Sequence, residues 1–491
     1  MSFSWRRDGD QGYNADQSAK VQISADEGNS WHTLLVIEPG GPDDAQQNAW
    51  FDITNYATSA TQIRFVTGDV QWQSGFIFFD NIVIEQTVGG IPNASFPELI
   101  GATNLHDMDV TGAGVTVAVI DTGVWSHSGL NRADTSQHRV LAQFDAITGQ
   151  LVGKMGSPLD TDTNGHGTHV SSVAINSQQD TDAGVRNGIA PGASLVSVRA
   201  FNSDGAGSYM DIIRGIDWVV SNKDAHNIRV MNLSFSAVPQ SNYWVDPLNQ
   251  AVMRAWQAGI VVVAAAGNTG PDPMSIGVPG NVPYIITVGA MSDNYTPADG
   301  LDDILASFSA TGPTVEGFVK PDVLAPGGHM LGLMATTANV AQDHPEYHQG
   351  NGYFSMSGTS QATAVTSGIA TLMIQANPTL TPDDVKCRLM ASARPAIDED
   401  GSLAYSIFQQ GAGLVNAYDA VYNSASGCVN RGLDIAKDLA GTEHYGGSAN
   451  YDPGKEEYYI IGLDGYAWSD GFAWSDGFAW SDGYAWSDGF A

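Results

Sequence analysis

Val117-Ala118-Val119-Ile120-Asp121-Thr122-Gly123 is a short apolar run that ends in a carboxylate and a turn. A run that is apolar at every position, rather than at alternate ones, fits a strand covered on both faces, as in a parallel sheet. The acid then falls at the carboxyl end of the strand, the edge at which such sheets place ligands. A carboxylate in that position is withdrawn from water and must have a partner.

The same pattern extends outward from about Phe96 to Ala425. Further strands are predicted over 194–201, 228–235, 261–267 and 285–291, with the first covering 115–121. Helical stretches alternate with them: 165–176, 209–222 with Ile212, Ile213, Ile216, Val219 and Val220 on one face, and 249–258. This βαβαβ order predicts an α/β fold with a parallel sheet between two helical layers. A long helix is expected from Ser360 to about Ala376. The next opens with Thr381-Pro382-Asp383-Asp384, an N-cap, a first-turn proline and two acids facing the helix dipole.

The chain is 491 residues long, too many for one hydrophobic core, so appended domains are expected. Residues 1–95 read as all-β, with short runs at 20–24, 33–37, 62–67 and 76–85 separated by turn clusters. Asp26-Glu27-Gly28-Asn29-Ser30-Trp31 and Phe79-Asp80-Asn81-Ile82-Val83-Ile84 resemble the jelly-roll, MAM-like accessory domains of many bacterial secreted peptidases. About six strands can be counted where such a sandwich takes seven or more, so its first strands are expected upstream of Met1. The α/β domain is set at 96–425, a polar linker at 426–464 and a repeat tail at 465–491. In the tail Gly-Tyr/Phe-Ala-Trp-Ser-Asp occurs four times from Gly465 to Asp488. Asp-Gly junctions favour hairpin turns, and the paired aromatics would share a strand face able to meet glycans or the cell envelope; a low-complexity tail is the alternative.

Composition removes several function classes. Apolar residues are 43% of the chain, yet no run approaches the roughly 20 needed to span a bilayer. The formal net charge is −33 and the pI about 4.3, which argues against nucleic acid as a partner. Such acidity suits saline or calcium-containing surroundings and serves colloidal solubility equally well. The two cysteines, Cys387 and Cys428, allow either a disulfide outside the cell or two buried thiols. The residues after Met1 turn polar at once and offer no secretory signal, so either the signal has been removed or the start is missing.

Two further motifs carry chemistry. Asn164-Gly165-His166-Gly167-Thr168-His169 sets His166 at a helix start between glycines that let the backbone pass closely. Gly358-Thr359-Ser360-Gln361-Ala362 sets a serine at the N-terminus of the long helix, where free N–H groups and the dipole favour developing negative charge. Taken singly, Asp121 reads as a turn aspartate, His166 as a satisfied loop histidine and Ser360 as an N-cap. In the order Asp, His, Ser, which is that of subtilisin and not of chymotrypsin or the α/β-hydrolases, the three are similar to the signatures of the subtilase family. Ala264-Ala265-Ala266-Gly267-Asn268 resembles the family segment that supplies an oxyanion-hole asparagine. The resemblance covers about Pro97 to Tyr422.

The resemblance implies a secreted serine endopeptidase acting on protein and peptide substrates, without a metal or organic cofactor in the chemistry. Asp121 would orient His166, His166 would act as base and acid, Ser360 would attack, and Asn268 would hold the oxyanion. It also implies two backbone edges that pair with an extended substrate, here Asp204-Gly205-Ala206-Gly207 and Ser234-Phe235-Ser236. The family has glycine where Ser236 stands, so the specificity pocket is expected to be narrowed; its remaining wall and floor would be Ala265, Ala266, Gly267 and Gly277. His169 has no catalytic part in the family pattern and reads as structural. Structural Ca²⁺ is common in the family, and Asp160-Thr161-Asp162 and Asp180-Thr181-Asp182 offer oxygen donors, although solvated acidic turns explain them as well. A catalytically dead adhesin on the same fold is the rival from another class, against which the intact motifs stand. The sedolisin relatives carry Glu and Asp in place of His and Asp.

Overall fold

The computed structural model describes residues 2–7, 19–26, 28–37, 47–50, 53, 61–67, 77–83, 90–131, 139–153, 159–294, 296, 302–398 and 400–460. The tail repeats lie outside the described residues. The chain divides into two compact units, Met1–Gly90 with His344–Gly350, and Ile91–Asp343 with Asn351–Ala491.

Among the described residues the first unit holds two three-stranded antiparallel sheets. Ser2–Arg7 lies between Gln47–Trp50 and Ile77–Val83, and Ala19–Ser24 lies between His32–Ile37 and Gln62–Thr67. Alternation along Ala19–Ser24 explains its placement: Ala19, Val21 and Ile23 are buried while Lys20 faces water. Val21 and Ile23 pack with Ile53, Trp5, Leu35 and Ile63.

The second unit is built on a nine-stranded, mostly parallel sheet. Its path runs Ile304–Leu305, Ile286–Ser292, Val261–Ala265, Ile228–Leu233, Thr116–Asp121, Ser194–Arg199, Val140–Asp145, Gln150–Val152, with Val323–Pro326 also on Ile286–Ser292. The predicted strands are found within one or two residues of their bounds. Thr116–Asp121 is buried at all six positions, as its unbroken apolar run requires. It pairs with Ser194–Arg199 on one side and Ile228–Leu233 on the other, so it is where the winding of the sheet changes direction. Asp121 ends it, at the crevice that open α/β sheets form there.

Tyr209–His226 and Pro247–Gln257 pack against one another, whereas Thr359–Ala376 runs against the sheet beside His166–Ile175. Thr359–Ala376 is buried from Thr359 to Ile374, which its small-residue, low-charge sequence permits. Pro382–Ser392 carries the expected capping box between Thr381 and Asp384. In the middle of that helix Lys386 is fully buried. Its Nζ donates to the Pro283 carbonyl and meets Asp322, a carboxylate shared with the equally buried Lys320.

Residues 426–460 are not the linker expected. They contain a short helix, Ile435–Leu439, and a hairpin, Ala449–Asp452 with Glu457–Ile460, and their side chains join the main core. A disulfide between Cys387 and Cys428 ties the segment to the preceding helix. Its polar anchor is Asp438, whose buried carboxylate accepts from Tyr243 Oη at 2.5 Å, Tyr284 Oη at 3.1 Å and His444 Nδ1 at 2.7 Å. Among the described residues no helix is long and apolar enough to cross a membrane.

Removing a buried carboxylate orphans every donor that pointed at it. Asp438→Ala is therefore expected to lower unfolding free energy by about 3 kcal/mol, against about 1 kcal/mol for Asp434→Ala, which removes only the N-cap of the same helix. Chemical denaturation of the two variants checks this; equal small effects would return the segment to linker status.

Candidate active site

His166 is placed by backbone sterics. Gly165, with φ of 106°, starts the His166–Ile175 helix from a left-handed conformation that side chains resist. A Cβ on Gly167 would lie 2.5 Å from the Gly123 carbonyl oxygen, so only glycine lets the helix start press against the Asp121-Thr122-Gly123 turn. The result is a hydrogen bond of 2.8 Å between His166 Nδ1 and Asp121 Oδ1, the latter also accepting from the Thr122 N–H. Nearly all of Asp121 is covered, whereas 23% of the His166 side chain remains open. Burial pulls the imidazole pKa down, but the charge of Asp121, the hydrogen bond to it and the charge of Asp162 push harder, leaving it above the ordinary histidine value.

Ser360 is the second residue of the Thr359–Ala376 helix, so its N–H is among those without an intrahelical partner. Its Oγ donates to the Ser234 carbonyl at 2.9 Å, and Ser234 Oγ donates back to the Ser360 carbonyl at 2.7 Å. Asn268 follows Val261–Ala265, and its Oδ1 accepts from both the N–H and the Oγ1 of Thr359 at 2.9 Å. Those two bonds fix the amide so that its donating end is the free one.

One cleft of about 400 Å³ is lined by Asp121, His166, Asn268 and Ser360 together with Gly205, Ser234, Phe235, Ser236 and Ala265 from the expected substrate edges. Of the remaining expectations, Ala206 and Gly207 sit exposed on the same turn as Gly205, which closes through the Asn202 side chain. Ala266 is buried with Ile276 and Ala310 behind the wall. Ser236 rests against the two glycines: a Cβ on Gly267 would lie 3.1 Å from its Oγ, and one on Gly277 2.8 Å from its Cβ. Phe201 and Phe235, with ring centroids 5.1 Å apart, give one side of the cleft an aromatic surface.

Two of the carboxylates in the acidic loops, Asp162 and Asp180, are already taken by the protein. Asp162 Oδ1 accepts from Thr122 Oγ1 and the Gly165 N–H, and Oδ2 from the N–H and Oγ1 of Thr168. Asp180 takes the N–H groups of Asp182, Ala183 and Val185. Both carboxylates are thus consumed by the protein, and among the described residues no group of three or more His, Cys, Asp or Glu stands together as a metal cage. Thr122, Asn164, Val340 and Thr359 also line the cleft and were not singled out from sequence. Thr122 and Thr359 sit inside the very motifs that carry Asp121 and Ser360, which was the available signal.

A parallel sheet covered by helices, with serine, imidazole, carboxylate and a fixed amide gathered beyond its strand ends, is the arrangement of a serine hydrolase. Residues 112–414 match the Subtilase family, and the chain belongs to it. It is 40% identical over 317 residues to the Serine protease AprX of Bacillus subtilis (strain 168), covering 64% of this chain and 67% of that protein. To Subtilisin DY of Bacillus licheniformis it is 33% identical over 321 residues, 65% of this chain and 94% of that one. The solved structure of an "S41 Psychrophilic Protease" superposes with a TM-score of 0.50 at 26% identity, covering 62% of this chain and 92% of the other. The protein is a subtilisin-like serine endopeptidase.

His169, one turn beyond His166, is fully buried. Its Nε2 reaches the Met330 and Phe354 carbonyls, and its Nδ1 lies 3.3 Å from the Gln361 amide. Burial, opposed by those carbonyls, holds its pKa down at about 4. The unfolded chain binds this proton near 6.5, so between the two values the unfolded state holds the extra proton. The stability tied to a neutral His169 is complete above pH 6.5 and is lost as the pH falls to 4, about 3 kcal/mol in all. Denaturant midpoints measured from pH 7 to 4 should fall more steeply for the wild type than for His169→Gln; parallel curves would remove His169 as the cause.

Proposed function

We propose that Ser360 is the nucleophile, His166 the general base and then acid, Asp121 its orienting partner, and Asn268 with the Ser360 N–H the oxyanion hole. The observation that carries this reading is the 2.8 Å contact of His166 with a covered carboxylate, its imidazole bordering the cleft that Ser360 and Asn268 also line. Attack requires the Ser360 hydroxyl to exchange its Ser234 acceptor for His166 Nε2 by rotation about χ1. The imidazole takes the proton, the Oγ–C bond forms, and the carbonyl oxygen gains charge against the Asn268 amide and the helix N-terminus. Return of the proton to the amine releases the first product, and water repeats the steps on the acyl-enzyme.

An extended peptide would pair with the edges at 204–207 and 234–236. Apolar side chains before the cleaved bond fit a pocket bordered by Ala265 and floored by Gly267 and Gly277, where a charge would be buried unpaired. Ser236, seated over both glycines, would shorten that pocket. Work outside the cell is supported by the Cys387–Cys428 disulfide and the acidic surface. The two antiparallel sheets described within 1–90 support the jelly-roll reading of an accessory domain; contact with glycan or envelope is carried only by the resemblance to such domains and by the aromatic tail.

Ser360→Ala is expected to leave the circular dichroism spectrum intact and reduce casein hydrolysis at least about a thousandfold. Asn268→Ala should lower kcat by about 10²–10³, the cost known for subtilisin's own oxyanion asparagine. Near-normal turnover in either variant would remove that residue from its role.

Cleavage profiling on a peptide library should favour Leu, Met and Phe over Trp before the cut. The preference should be broad, because shape alone discriminates by about 1–3 kcal/mol. Ser236→Gly should gain on Trp; a dominant Arg or Lys preference would overturn the apolar pocket.

A further inference from the structure

We propose that Asp162 is a positioning residue for this reaction, a second carboxylate that holds the His166 helix start against the Asp121 strand end. The inference rests on the assignment of His166 as general base.

Asp162 is 5% exposed and accepts four hydrogen bonds, the full capacity of an ionised carboxylate. They come from two directions. Thr122 Oγ1, on the turn that follows Asp121, donates to Oδ1 at 2.8 Å and itself accepts from the Gly167 N–H at 2.8 Å. Thr168 Oγ1, on the His166 helix, donates to Oδ2 and accepts from the Trp125 N–H at 2.8 Å. Each hydroxyl therefore relays a backbone N–H from one element to a carboxylate that also grips the other. The Gly165 and Thr168 N–H groups complete the set from the first turn of the helix, both at 2.8 Å. Residues 165, 167 and 168 surround His166 in sequence, so this one side chain, directly and through Thr122, holds the backbone on both sides of it, while the His166 N–H itself donates to Asn164 Oδ1 at 3.2 Å. Only an acceptor-only group suits the place: an amide of the same shape would turn an N–H₂ toward two donors.

Asp162 also acts on the proton of the imidazole. The titratable groups acting on His166 are Asp121 from the neighbouring strand, Asp162 from the preceding loop and His169 one turn on, which burial keeps neutral. The charge of Asp162 favours the imidazolium that forms during attack, as that of Asp121 does. Losing Asp162 should therefore act twice: on geometry, where a displacement of about 1 Å costs about a hundredfold in rate, and on the acid limb of the pH profile.

The test compares kcat, KM and the pH dependence of kcat/KM on a soluble peptide anilide for wild type, Asp162→Asn, Thr122→Val and Thr122→Ser. Asp162→Asn should lose about a hundredfold in kcat with KM within threefold, and its acid limb should move to lower pH because the imidazolium has lost a stabilising charge. Thr122→Val should lose at least tenfold, and Thr122→Ser, which restores the hydroxyl, should recover most of that loss. Asp162→Asn with kcat within threefold of wild type, or with a loss carried in KM and an unmoved acid limb, overturns the proposal. If Asp162→Asn cannot be recovered folded, Thr122→Val decides: kcat within threefold overturns it, and a tenfold loss at an unchanged melting temperature supports it. Ser360→Ala run in parallel separates the failures, since a normal rate there sinks the triad itself, whereas an inactive Ser360→Ala beside an active Asp162→Asn sinks only the positioning role.

Discussion

A carboxylate at the end of a strand buried on all sides has to be answered by the rest of the chain, and much of this structure is the answer. Asp121 lies where the sheet changes winding direction, so it opens onto a crevice instead of a helix. Three things then follow. The turn after it must be small, the helix opposite must start from glycine, and the imidazole between them must stand close enough to share its proton. Each is a steric condition before it is a chemical one.

The other half of the cleft depends on the Thr359–Ala376 helix. Buried over nearly its whole length, it carries no charged side chain, and Thr363, Thr366 and Thr371 return their hydroxyls to carbonyls one turn back. The two helices that bear His166 and Ser360 lie side by side, and the His169–Gln361 contact crosses between them directly beneath those residues. The floor of the cleft is therefore tied across both helices, and the 234–236 edge is tied to it through the reciprocal Ser234–Ser360 bonds.

Much of this was legible in the chain. Uninterrupted apolar runs marked the central strands, the amphipathic face marked Tyr209–His226, and cap chemistry marked Pro382–Ser392, because each is a local property. The strand Val140–Asp145 escaped notice because Gln143 breaks its run, and Gln143 is tolerated there only through its bonds to Leu159 across the loop. No local pattern marks Lys386 or Asp438 as buried, because Asp322, Tyr243 and Tyr284, which meet them, lie some 60 to 200 residues away, and only His444 is near Asp438 in sequence. From sequence alone Asp162 offers an oxygen donor or stands in a solvated acidic turn, because no spacing rule reveals that backbone N–H groups and hydroxyls occupy it. The three motifs meeting in one cleft was readable from their order; the hydroxyl relays holding them there were not.

The bridge between Cys387 and Cys428 encloses a stretch of chain with its own exposure to proteolysis. Ile397 stands 61% exposed there, bridged to Leu403 across a hydrogen-bonded turn that holds Asp398 and Gly401. Neighbouring copies of a subtilisin-like endopeptidase are the proteolytic agent most often within reach of such a turn. A cut at Ile397 would break the backbone, yet the two pieces would stay joined through sulfur, with the Asp438 anchor on one side and Ser360 on the other. Autolysis at this loop would produce a nicked, still-assembled molecule whose fragments part only on reduction.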